Sequence, residues 1–170
     1  ELSVFSDMGL GNGMKSNVDN EVEILKSRKL VENVVRKLNL NISLWTKGKL
    51  VDREIYKQTP IAVNFINTKP GFYTGVMRFR FKELTPNSFS LENESETDSL
   101  SALLVHKKAF RYGELIAVKN ADLIITPLHG NGFRYKNDDK LVDIVVSPFE
   151  NVVASYQGRI EVTPISKLSS

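Results

Sequence analysis

The chain has 170 residues, of which 23 are basic and 20 acidic, for a formal net charge of +3 at pH 7, and it has no cysteine. A chain of this size forms one domain, or part of one, that buries roughly 68–70% of its unfolded surface, and the missing cysteine excludes disulfides, thiolate metal ligands and a Cys nucleophile. The small, sign-mixed charge lacks the concentrated basic face of a duplex-binding protein, so no nucleic-acid partner is expected; no apolar run reaches the ~18 residues that span a bilayer.

The chain opens at Glu1 without an initiator Met or a signal-peptide pattern, which leads us to expect a piece excised from a longer protein. The stretch GLGNGMKS, Gly9 to Ser16, places Gly9, Lys15 and Ser16 in register with a phosphate-binding P-loop. Met14 stands where the second glycine belongs and sets a long side chain where the backbone has to approach phosphate. Residues 1–16 therefore read as a flexible glycine-rich lead-in, not as a nucleotide site.

From Asn17 to Leu38, the residues Val18, Val22, Ile24, Leu25, Val31, Val34, Val35 and Leu38 recur at helical spacing. The spacing predicts one long helix, capped by Ser16 or Asn17, with Asp19, Glu21 and Glu23 at its positive end. Beyond Asn39 the period changes to two. ISLW (Ile42 to Trp45) reads as a short strand, TKGK as a turn, and IAVNFI (Ile61 to Ile66) as a buried strand. The clearest alternation follows, with Val76, Arg78, Arg80 and Lys82 on a wet face and Met77, Phe79 and Phe81 on an apolar one. NSFSLEN is expected to pair with it, and ENESETDS to be a solvated loop. Two strand candidates flank KNAD, and KLVDIVVS gives another. In SPFENVVASYQGR, Ser147 as N-cap, Pro148 at the first helical position and Glu150 form a capping box, with Gly158 ending the helix. RIEVTPI is one more expected strand. The predicted fold class is α+β: a mixed, mainly antiparallel sheet packed with a long N-terminal helix and a short C-terminal one.

Chemistry is sparse. His106 and His129 have no metal-ligand spacing. PLHGNG, with Gly130, Asn131 and Gly132, resembles an oxyanion loop but has no nucleophile elbow to serve, so it reads as a turn. No pair among the 20 acidic residues stands out for glycoside chemistry. In MRFRFK the aromatic and basic residues face opposite ways, which argues against a single-strand nucleic-acid platform. Trp45, Phe72 and Tyr73 are candidates for a sugar-stacking platform. No catalytic, cofactor or metal residue is assigned.

The segment NEVEILKSRKLVENVVRKLNLNI, Asn20 to Ile42, closely resembles the extracytoplasmic domain of bacterial polysaccharide co-polymerases, the Wzz-type chain-length determinants and Wzc-type tyrosine kinases. Glu23, Ile24, Leu25, Lys26, Ser27, Arg28, Leu30, Val34, Val35, Leu38 and Leu40 carry the resemblance, with Lys26 to Arg28 the densest part. REIYKQTPIAVNF looks like the family's lead into a strand, RYGELI like its turn, and GRIEVTPISKLSS like its entry to the last part.

The resemblance implies a single, partial domain over residues 1–170 without catalysis of its own, periplasmic and anchored in the inner membrane by helices outside the sequence. It further implies homo-oligomers that set the chain length or export of O-antigen, capsule or exopolysaccharide. The implied partners are a polymerase, an outer-membrane channel and the growing glycan. In the kinase-bearing members of the family, a separate cytoplasmic domain with its own Walker motif follows the second membrane helix. The alternatives from the residues themselves are a secreted carbohydrate-binding module or a hydrolase with dispersed carboxylates.

Overall fold

Period-two alternation dominates the middle of the chain. The computed structural model, which describes residues 20–48, 50–93, 109–128, 134–135 and 140–162, realises it there as two antiparallel sheets. The strands are β1 (Ile42–Thr46), β2 (Arg53–Ile55), β3 (Ile61–Ile66), β4 (Met77–Thr85), β5 (Ser88–Asn93), β6 (Phe110–Arg111), β7 (Leu115–Val118), β8 (Ala121–Pro127) and β9 (Leu141–Val146). One sheet has six strands in the order β2-β1-β9-β4-β5-β6, and the other has three in the order β3-β8-β7.

Local chemistry explains the tight connections. Thr85 and Ser88 share a hydroxyl hydrogen bond of 2.6 Å beneath the β4–β5 turn, and the Asn87 amide donates to Thr85 Oγ1 at 3.3 Å. Asn120, with φ 62, supplies the left-handed residue between β7 and β8, a conformation that Asn tolerates better than most residues. Between β6 and β7 the chain leaves one sheet for the other through Tyr112, Gly113 and Glu114. Gly113 has φ 77, and its amide donates to the Ile125 carbonyl on β8 at 2.9 Å. Glu114 Oε2 accepts from the Arg111 amide at 3.0 Å, closing the turn from its other side.

The chain divides into two compact units, Leu40–Phe149 on the one hand and Glu1–Asn39 with Glu150–Ser170 on the other. The first holds both sheets and one apolar core. Phe79 and Phe81 of β4, Phe89 and Leu91 of β5, and Val142, Ile144 and Val146 of β9 meet Ile61 and Val63 of β3, Ile116 and Val118 of β7, and Leu123 and Ile125 of β8. β9 lies between β1 and β4, with Leu44 and Phe79 both opposite Ile144. Face-to-face burial of alternate residues is what a pleated strand requires when one of its faces is dry. The expected faces of β4 are observed, Phe79 and Phe81 being buried and Arg78 and Lys82 exposed.

In the second unit, residues 20–26 are helical and α1 (Arg28–Leu38) follows. α2 (Phe149–Gln157) begins at the end of the first unit and continues here. Arg28 bonds Glu32 at 2.9 Å and also pairs with Glu150, and Gln157 Nε2 donates to the Lys26 carbonyl at 3.3 Å.

Several expectations are corrected. The long N-terminal helix is interrupted at Ser27, whose extended backbone (φ −62, ψ 136) lets its hydroxyl accept the Leu30 amide at 3.3 Å and cap α1. A serine side chain competes with the helical backbone for its own amides, and here it wins. The mixed sheet is also corrected, since every pairing among the described residues is antiparallel, β1–β2, β4–β5 and β7–β8 as hairpins and the others between strands farther apart in sequence. The α+β class therefore gives way to a mostly β architecture with short helices. The capping box does not form in the expected way: the Ser147 amide already donates to the Asn41 carbonyl at 2.8 Å, and the Glu150 carboxylate goes to Arg28. Residues 159–162 of the expected strand RIEVTPI are not in a strand, because Arg159 and Ile160 turn back onto the carbonyls of Tyr156 and Gln157. β2, with only three residues, was not anticipated. The acidic stretch 94–99 lies outside the described residues.

Phe81 is fully buried and packs on Phe89 with ring centroids 5.2 Å apart. Phe81→Ala is expected to lower unfolding free energy by about 3–5 kcal/mol in a urea titration, with Lys82→Ala, on the wet face of the same strand, staying within about 0.5 kcal/mol of the parent.

Candidate functional site

The densest chemistry gathers where β4 ends. Phe79 and Phe81 face the core, so strict alternation carries the next inward position, Glu83, to the rim of the same face. There the β4–β5 register shifts between Glu83 and Thr85. Lys140, held at φ 50 just before β9, takes the Glu83 amide on its carbonyl at 3.2 Å and donates from Nζ to Glu83 Oε1 at 2.6 Å. The Glu83 side chain retains 19% of its exposure, so this charge-assisted bond answers a carboxylate largely taken out of water.

Two phenols complete the cluster. Tyr112 follows β6 and packs on Phe89 and Phe81, with centroids at 5.1 and 6.4 Å. Burial first, and the Glu83 charge second, push its hydroxyl up to about 12 from the ordinary 10.0. Tyr135 is pushed up further, by burial first and by the nearby Glu83 carboxylate second. Both phenols therefore stay protonated well above neutral pH. Glu83 is bonded to Lys140, and its charge is felt by both phenols at the rim of the core.

A second polar array lies on the other face of the six-stranded sheet. Glu54, Trp45, Asp143, Arg80 and Glu92 stand opposite one another in sequence across five strands. Arg80 Nε bonds Asp143 Oδ1 at 3.1 Å, and Trp45 Nε1 donates to Ser43 Oγ at 2.9 Å. This is cross-strand charge pairing on a wet face.

The residues singled out from the sequence are placed as follows. Lys26, Ser27 and Arg28 serve the helices, through the Lys26 carbonyl, the Ser27 cap and the Arg28 ion pairs. Trp45, Phe72 and Tyr73 do not form a sugar platform. Phe72 is buried with Tyr73 edge-on at 4.6 Å and Phe65 at 4.9 Å, whereas Trp45 lies on the sheet face away from that core. Alternation explains the separation, because Leu44 takes the inward position beside Trp45. Gly9, Met14, Lys15, Ser16, His106, His129, Gly130, Asn131 and Gly132 lie outside the described residues. Among the described residues no three His, Asp or Glu side chains gather as a metal site, and no helix is long and apolar enough to cross a membrane.

The cluster of Glu83, Lys140, Tyr112 and Tyr135 was missed because its members come from separate parts of the chain. Its one sequence signal was a carboxylate, Glu83, at an inward position of the alternating strand. In comparisons with known proteins, no family model and no curated protein matches the chain.

A raised phenol pKa stabilises the folded chain while the phenol is protonated. That contribution is complete below pH 10 and is lost as pH rises through about 12 for Tyr112. Melting temperature is expected to fall across this window less steeply for Tyr112→Phe than for the parent, and tyrosinate absorbance at intact fold should show one late-titrating phenol fewer in the variant, which keeps Tyr135.

Proposed function

We propose that the chain is the extracytoplasmic part of a bacterial polysaccharide co-polymerase, acting by protein assembly and not by catalysis. On this reading it lies in the periplasm, held to the inner membrane by segments outside the present sequence. Its copies associate with one another and work beside a polymerase, an export channel and the growing glycan.

The observation that carries this reading is on the helical residues that bear the resemblance. Val31 and Val35 of α1 are buried, yet Leu30, Val34 and Leu38 are 38%, 43% and 61% exposed on the same helix. These three recur at i, i+4 and i+8 and line one stripe. Ile24 and Leu25, from the preceding helical residues 20–26, are exposed too. All five belong to the stretch that resembles the family's first helix. A helix that is apolar on more surface than its own fold buries has a face available to other chains. The resemblance supplies the occupant, a further copy of the same protein.

The absence of native cysteine makes the test simple, because one introduced thiol is unique in the chain. In cells making the natural protein, oxidation is expected to link Leu38→Cys copies to one another and to leave Lys82→Cys copies single. The double variant Val34→Asp with Leu38→Asp is expected to shift the length distribution of the surface polysaccharide. Equal or absent linkage at both positions, or an unchanged distribution, overturns the reading.

A further inference from the structure

β1 ends at Thr46 and β2 begins at Arg53, and the two strands pair antiparallel, so the chain reverses between them. The turn is tight: a Cβ on Gly48 would overlap the Val51 carbonyl oxygen, so glycine permits a close approach that another residue would block. Its effect is to present two adjacent aliphatic side chains to solvent, Leu50 at 98% and Val51 at 74% exposure. Basic residues flank them. Lys47, Lys49 and Arg53 accompany the tip in sequence against a single acid, Asp52, and Arg53 stands opposite Thr46 where the strands begin to pair.

We propose that this hairpin tip docks onto an anionic lipid surface, with Leu50 and Val51 entering the boundary between headgroups and acyl chains while Lys47 and Arg53 stay among the phosphates. An aliphatic point in a basic collar is complementary to such a surface in both respects, since apolar burial and attraction to anionic headgroups add. Basic side chains reach outward to the phosphates as their stems sink. A protein partner fits the tip less well. A stable interface needs roughly 800 Å² from each partner with a packed centre, whereas two side chains at a convex turn offer little area and no pocket. A bilayer needs neither. Lipid docking stands apart from the assembly reading, which concerns Leu30, Val34 and Leu38, so either can fail without the other.

The chain carries its own reporter, because Trp45 is the only tryptophan and lies one residue inside the last β1–β2 pair. The 170-residue chain is mixed with vesicles of phosphatidylglycerol or of phosphatidylcholine, and sedimentation and Trp45 emission are followed. Binding is expected on phosphatidylglycerol, with a shift in Trp45 emission, and far less on phosphatidylcholine. Leu50→Asp with Val51→Asp is expected to weaken it about tenfold or more, with melting temperature unchanged because both side chains already face water. Lys47→Glu with Arg53→Glu should weaken it as well, and added salt should mimic that loss. No binding to phosphatidylglycerol, equal binding to both lipids, or binding untouched by the aspartate pair overturns the proposal. Concentration-dependent self-association that the aspartate pair abolishes, with no vesicle binding, assigns the tip to a second copy and overturns it too.

Discussion

Each sheet in the Leu40–Phe149 unit has one face that water cannot be allowed to reach. The six-stranded sheet turns Phe79, Phe81, Phe89, Val142, Ile144 and Val146 inward, and the three-stranded sheet answers with Ile61, Val63, Leu123 and Ile125. A fully buried side chain of this kind contributes about 1.5–3 kcal/mol relative to exposure. Neither sheet is an independent solution, because a sheet with a bare apolar face has nothing to offset the entropy of ordering its strands. The turn at Gly113 serves this requirement directly, carrying the chain from one sheet to the other while its amide stays bonded to β8.

The polar rim follows from the same constraint. Alternation along β4 makes no exception for charge, so Glu83 arrives on the inward side where the hydrophobic layer ends. A carboxylate there is tolerable only with a partner, and Lys140 provides one. The two tyrosines close the gap between apolar interior and water, each with a ring toward the phenylalanines or core and a hydroxyl toward the carboxylate's field. The outer face obeys looser rules: Arg80 and Asp143 pair at a surface where such bonds contribute modestly.

Much of this was readable where one residue's neighbours in sequence are also its neighbours in space. IAVNFI became β3 with the same bounds, and the wet and dry faces of β4 were set by a strict period of two. The β7–β8 hairpin was marked by KNAD between two apolar runs, with Asn120 taking the left-handed position. The helix break at Ser27 was not legible, because apolar spacing continues across it and the cap is a choice made by one hydroxyl. β2 was hidden by its shortness and polar composition. The Glu83 cluster joins residues from three separate stretches, and only topology brings them together. The sugar platform failed on a one-residue phase: Trp45 and Leu44 occupy opposite faces of one strand.

β9 has a further consequence for the order in which the molecule is made. It sits between β1 and β4 in the six-stranded sheet, yet it is the last strand in the chain among the described residues. During synthesis β1 and β4 have no neighbour in common until Val146 has emerged, more than half the chain length after β1 is complete and well after the β4–β5 hairpin can form. The hairpins β4–β5 and β7–β8 are local and can form early, whereas the sheet closes only on contacts far apart in sequence, the kind that fold slowly. A chain ending before Leu141 would leave β1 and β4 each with an open edge on the side that β9 occupies, and Phe79 without the Val142, Ile144 and Val146 layer beside it.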